Sequence, residues 1–250
     1  MSRRNVTALF CIVLLAFPLL AETAYVRTNC TGINPAKSEE AKSVFLLEIT
    51  RQDGQAVTAN SYLVEKNNLL FTAKHVIENW RHINAYDYRG RRIEVKYVFT
   101  QDLQPDIDQA IIVIEPQTEI EPLRFFNSDA DGWQALRKED TRTTVIARKE
   151  FLHNVHFACG IISSPAIWTS DGNRTVLERT ESSLSVYYLG FSGSPVIAKV
   201  DNQTFVLGTF YGIRNDEHRS KDIADADDMA YFIPSYLSLP FLEKALKEAK

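Results

Sequence analysis

The chain has 250 residues, 45% apolar and 24% charged, enough for one large β unit or two small packed domains and ordinary for a folded protein. Its formal net charge of −4 provides no overall basic field to draw in nucleic acid, which weighs against that class of partner.

The first elements lie outside any fold. Arg3 and Arg4 precede an apolar run from Ala8 to Ala21, and this order reads as a secretory signal peptide over residues 1–21. The competing reading is a retained membrane anchor. As a helix the run rises only ~21 Å, short of the roughly 30 Å hydrocarbon core, and Pro18 interrupts it. No later segment is long and apolar enough to span, so no stable membrane insertion is expected once the signal is removed. Cys11 would leave with the signal. Cys30 and Cys159 remain, and an even pair in an exported chain suggests one disulfide and no cysteine-based zinc site.

Residues 22–42 are polar without a sustained period and read as an extended arm. Strand-like segments follow at Ser43–Thr50 and Ala56–Val64, separated by the turn signal Asp53-Gly54. Leu69–Thr72, Ile83–Tyr88 and Arg91–Thr100 continue in this style, and Ala110–Ile114 is a continuous apolar run of the kind buried in a barrel core. Residues 115–132 read as a link. The second half predicts strands at Thr143–Ala147, His156–Ser163, Thr175–Arg179, Ser194–Lys199, Thr204–Tyr211 and Met229–Ile233. So many short strands with almost no helix point to barrels or a sandwich. The end differs, because from Pro240 to Lys250 the residues Phe241, Leu242, Ala245, Leu246 and Ala249 share one face of an amphipathic helix.

Three motifs carry chemistry. In Phe71-Thr72-Ala73-Lys74-His75-Val76 an apolar strand delivers a histidine, followed by the helical-looking stretch Val76–Trp80. A histidine at a strand end is held from below while its ring stays free to act as a base. In Asp106-Ile107-Asp108 an aspartate stands just before the buried run, where an unpaired charge is costly unless a group such as a His Nδ1–H meets it. Asp106 competes but sits two residues further from the strand. Gly190-Phe191-Ser192-Gly193-Ser194-Pro195 is the sharpest, since glycines on both sides of Ser192 let the backbone turn so that the hydroxyl projects. Position 194 is not glycine and a strand rather than a helix follows, unlike the nucleophile elbow of α/β-hydrolases. The order His, Asp, Ser differs from that of subtilisin and of the α/β-hydrolases.

On these residues the chain resembles the trypsin-like serine protease superfamily, in its bacterial-type branches. "LLFTAKHV", "DIDQAIIVI" and "GFSGSPV" are similar to its histidine, aspartate and serine motifs. Ser-Gly-Ser-Pro resembles the glutamyl endopeptidases, and "AYFIPSYL" with a final helix looks like the end of an HtrA/Deg protease domain. The resemblance implies an all-β fold of two packed antiparallel six-stranded barrels with a C-terminal helix. The divisions would be 43–125 with His75 and Asp108, 126–234 with Ser192, and a helical segment over 235–250. It implies a secreted or periplasmic serine endopeptidase with no cofactor or metal, acting on protein or peptide substrates through the triad His75, Asp108 and Ser192. The N–H groups of Gly190 and Ser192 would form the oxyanion hole. Val186, six residues before the nucleophile, would lie at the base of the specificity pocket, with Phe210, Tyr211 and Gly212 on the strand that binds substrate. With no carboxylate at Val186 and no histidine in Thr209–Gly212, cleavage after small or medium apolar residues is expected, Arg214 being the main threat to that expectation. Phe191 replaces the zymogen aspartate, so activity should not wait on a new N-terminus.

Two other readings stay open. One is a catalytically inactive, protease-like binding protein on the same scaffold. The other is a secreted calcium-binding β-protein built around Asp222, Asp225, Asp227 and Asp228, although these lack the spacing of an EF-hand loop.

Overall fold

A computed structural model describes residues 38–100, 107–128, 132–133, 135–136, 141–148, 155–169, 172–179, 190–213 and 229–248. The expected signal peptide, most of the arm (22–37) and Cys30 lie outside the described residues.

The last residues of the expected extended arm are helical instead. Ser38 caps a single turn, α1 (Glu39–Lys42), its hydroxyl accepting from the Ala41 N–H at 3.1 Å, with Glu39 and Glu40 in the first turn where the helix dipole favours them. Seven strands follow: β1 (Val44–Arg51), β2 (Ala56–Leu63), β3 (Leu69–Thr72), β4 (Trp80–Tyr86), β5 (Arg92–Ile93), β6 (Val95–Thr100) and β7 (Ala110–Ile114). The Asp53-Gly54 signal is realised as the β1–β2 hairpin, where Arg51 N–H donates to Gln55 O at 2.8 Å. The sheet order is β5-β4-β1-β2-β3-β7-β6. Its two end strands, β5 and β6, are separated in the chain only by Glu94, so one bent strand pairs with β4 on one side and β7 on the other and curls the sheet round. The second half holds β8 (Arg142–Arg148), β9 (Val155–Thr169), β10 (Gly172–Arg179), β11 (Pro195–Val200), β12 (Gln203–Ile213) and β13 (Met229–Pro234), closed as an antiparallel barrel in the order β10-β13-β12-β11-β8-β9.

Side-chain alternation divides the core into three. In β7, Ala110, Ile112 and Ile114 fill the first barrel with Phe45, Leu47, Ile49 and Leu70, while Ile111 and Val113 face the other way. That outer face meets Ile146, Ile197 and Val206 from the second half, so β7 is buried on both sides, which explains an apolar run without alternation. The second barrel is filled by Val145, Ala147, Val196, Ala198, Leu207 and Phe232.

The C-terminal helix, α2 (Ser235–Glu248), begins five residues before Pro240, where the sequence pattern would have started it. Pro240 is the sixth residue of this helix, and its missing N–H forfeits the bond to the carbonyl of Tyr236. Phe241, Leu242 and Ala245 pack into the cluster between the two halves. No helix among the described residues is long and apolar enough to cross a membrane.

Arg148, at the end of β8, ties the halves together. Its buried guanidinium donates to Ala41 O and Val44 O at 2.5 Å each, closing the C-terminal end of α1. Burial pushes it down to about 10, partly offset by the distant Asp87 carboxylate. Arg148→Ala should therefore cost about 2–4 kcal/mol, because two buried carbonyls lose charged donors at once. Urea unfolding checks this, and a loss under about 1 kcal/mol would mean that water replaces the guanidinium.

Candidate active site

The β3–β7 ladder decides where the first two motif residues meet. Thr72 pairs with Ala110, so the chain leaving β3 and the chain entering β7 run side by side just beyond the sheet. Lys74 N–H donates to Asp108 O at 3.2 Å, extending that pairing by one more bond. His75 sits in a short 3-10 turn (Lys74–Ile77), and the helical stretch expected after it, over Val76–Trp80, is limited to the end of that turn. Asn79, at φ 55, takes the left-handed conformation that suits asparagine and turns the chain into β4, which opens at Trp80.

Both oxygens of Asp108 serve His75. Oδ1 accepts the His75 backbone N–H at 2.6 Å, and Oδ2 takes the Nδ1–H of the ring in a short hydrogen bond. Because the carboxylate can only accept, the proton of a neutral imidazole lies on Nδ1 and the lone pair on Nε2. The Asp108 side chain is 16% exposed and that of His75 38%, so the orienting group is sheltered and the ring stays reachable. The next residue, Gln109, is fully buried and donates through Nε2 to Ser238 Oγ of α2 at 2.6 Å, anchoring the aspartate segment to the C-terminal helix. Asp106 lies outside the described residues.

Ser192 stands in a tight turn before β11. Ser194 N–H donates to Phe191 O at 2.9 Å, and Gly193, the third residue, has φ 84. A turn with positive φ at that place calls for glycine. Space demands it too, since a Cβ on Gly193 would lie 2.1 Å from Asn60 O and 2.3 Å from Thr72 Oγ1. Gly193→Ala is thus expected to destabilise the protein by about 2–5 kcal/mol, from strain and overpacking together. A melting temperature unchanged within error would contradict that reading.

Ser192 Oγ donates to the Tyr211 carbonyl at 3.0 Å, and the Tyr211 ring lies edge-on to the His75 imidazole with centroids 5.2 Å apart. Tyr211 therefore neighbours both groups. Among the described residues no hydrogen bond yet joins Ser192 Oγ to His75. Tyr211 occupies a bulge in the β12–β13 pairing, between Phe210 opposite Phe232 and Gly212 opposite Tyr231, and such a bulge re-aims a side chain. Gly212 has open space where a Cβ would be.

Phe210 is a correction. Expected to help line the substrate pocket, it is 1% exposed and packs with Phe191 in the core of the second barrel, while its carbonyl accepts the Gly193 N–H. Phe191 itself is buried there, so the position expected to lack a carboxylate holds an apolar core side chain. The N–H groups of Gly190 and Ser192 make no hydrogen bond among the described residues. Val186, Arg214 and the aspartates 222, 225, 227 and 228 lie outside the described residues. Cys159 falls in β9, but its side chain, like Cys30, is outside them. No group of His, Cys, Asp and Glu that could hold a metal occurs among the described residues.

Asn60 escaped the sequence reading. It lies in the middle of β2, fully buried, and its side chain reaches the serine turn (Nδ2 to Gly190 O, 2.7 Å) and β8 (Oδ1 from Arg148 N–H, 2.6 Å). Its signal was available: an asparagine inside an apolar strand segment must find partners.

Neither a protein-family model nor a curated protein sequence matches the chain. Solved structures do match it in fold. HL collagenase superposes with a TM-score of 0.64 at 15% identity, over 86% of this chain and 98% of that one. The Rv3671c protease from M. tuberculosis, in its active form, gives 0.60 at 17%, over 82% and 81%. The HtrA-type protease AlgW, solved with a tripeptide, gives 0.62 at 15%, over 85% of this chain but only 62% of its own length. With this topology and these neighbours, the chain has the two-barrel, chymotrypsin-like fold of the trypsin-type and HtrA-type serine proteases.

Proposed function

We propose that the protein is a serine endopeptidase in which Ser192 is the nucleophile, His75 the general base and then acid, and Asp108 the group that orients His75. The observation that carries this reading is the double hold of Asp108 on His75, which leaves Nε2 as an acceptor, with Tyr211 in contact with both the His75 ring and Ser192 Oγ. In the reaction Ser192 Oγ swings from the Tyr211 carbonyl to His75 and attacks the scissile carbonyl carbon while its proton passes to Nε2. The oxyanion takes the N–H groups of Gly190 and Ser192, which make no hydrogen bond among the described residues. Collapse expels the amine, which receives the proton from His75. Water then repeats the sequence on the acyl-enzyme, giving the carboxylic acid and the free serine. The extended substrate lies along β12 at Tyr211 and Gly212, and cleavage follows apolar residues. Because Phe191 is buried among apolar neighbours, no carboxylate there awaits an inserted ammonium, and activity does not depend on one. Export through the signal sequence places the enzyme outside the cytoplasm.

Incubating the chain without residues 1–21 with a mixed peptide library, and reading new termini by mass spectrometry, tests this function. Cuts after apolar residues that vanish in His75→Ala are expected, and a library left intact would contradict the reading. The alternative of an inactive binding protein draws on one observation, the Ser192 hydroxyl resting on Tyr211 instead of His75. It predicts peptide binding without cuts.

A further inference from the structure

The base and the nucleophile stand on different halves of the molecule, so the catalytic distance depends on whatever fixes the serine turn to the first barrel. We propose that Asn60 is a positioning residue that does this, a role that rests on the hydrolase reading above. All four of its polar groups are engaged. Its N–H donates to Ser192 O at 3.0 Å and its Nδ2 to Gly190 O at 2.7 Å. Its Oδ1 accepts from Arg148 N–H at 2.6 Å, and its O accepts from Thr72 Oγ1 at 2.7 Å.

The placement of these bonds is what matters. The two carbonyls that Asn60 holds flank the Ser192 N–H, and the first belongs to the residue that carries the other oxyanion donor. Drawing both carbonyls toward β2 fixes the intervening peptide planes. Gly190, at φ 98, has a conformation that glycine alone reaches easily, so the turn depends on outside bonds to stay in it. Thr72 ends the strand that delivers His75, three residues before it, and its hydroxyl grips the Asn60 carbonyl. Asn60 thus joins the frame of the base to the frame of the nucleophile through its own backbone. The Arg148 N–H on Oδ1 orients the amide so that the NH2 group, not the oxygen, faces Gly190. An aspartate has the same shape but offers only acceptors, and would set a charge against the Gly190 carbonyl.

Two variants, Asn60→Ala and the isosteric Asn60→Asp, test the role against a merely structural one. The readouts are kcat and KM on a peptide substrate, affinity for a peptide aldehyde that captures Ser192 as a tetrahedral adduct, and affinity of an unreactive peptide measured in a Ser192→Ala background. Misplacing the oxyanion donors should lower kcat and aldehyde affinity together by about 10- to 100-fold. KM and the affinity of the unreactive peptide should stay within about threefold, since they report ground-state binding. A structural role alone would lower the melting temperature and leave kcat of the folded enzyme alone. If wild type cleaves peptide and takes up aldehyde while folded variants match it within twofold, the positioning role is overturned and the hydrolase reading stands. If wild type does neither, the hydrolase reading falls and takes this role with it.

Discussion

Asp108→Asn is expected to lower kcat by about 10⁴-fold while the protein stays folded. The size follows from the two bonds that Asp108 makes. The His75 backbone N–H needs an acceptor, so the amide oxygen of an asparagine would settle where Oδ1 now lies. The NH2 group would then face Nδ1, which can meet it only as an acceptor. That moves the ring proton to Nε2, and Nε2 can no longer take the proton of Ser192. Peptidase assays on the variant check this. A loss smaller than tenfold would mean that Asp108 does no more than hold the turn.

Ser192→Ala is expected to remove more, about 10⁶-fold in kcat, because the covalent route disappears altogether. Its fold should hardly change. The turn is kept by backbone bonds that alanine retains, from Asn60 N–H to Ser192 O, Gly193 N–H to Phe210 O and Ser194 N–H to Phe191 O. The one bond lost is that to the Tyr211 carbonyl at a half-buried site open to water, worth about 1 kcal/mol. Activity should therefore collapse while denaturant midpoints barely move. Residual turnover above about a thousandth of wild type in a clean preparation would move the nucleophile elsewhere.

The legible parts of this chain are those where local pattern and tertiary surroundings ask for the same thing. Ala110–Ile114 is apolar throughout because β7 has a core on each side, and Asp108 just before it stood out as a charge needing a partner. The Asp53-Gly54 turn closes its hairpin with local bonds, from Arg51 N–H to Gln55 O and from Gly54 N–H to Arg51 O. What the sequence did not disclose depends on contacts between distant segments. Asn60 looks like a flaw in a strand until Gly190 and Arg148, far along the chain, are brought against it. Phe210 adjoins the site residue Tyr211, but strand alternation sends its side chain into the barrel. α2 starts at Ser235, the first residue of the helical segment that the resemblance implied, although the amphipathic pattern alone begins only at Pro240; Ser235 follows β13 directly and its hydroxyl bonds Phe126 O in the link at 2.6 Å.

The central claim, that His75 and Asp108 make Ser192 a nucleophile, is tested most directly by a fluorophosphonate probe followed by intact-mass and peptide mass spectrometry. The account predicts one probe per wild-type chain, bound at Ser192, with no labelling of Ser192→Ala and labelling of Asp108→Asn slowed by orders of magnitude. A wild-type chain that stays unlabelled while peptides bind to it, or a label carried by another residue, would contradict it.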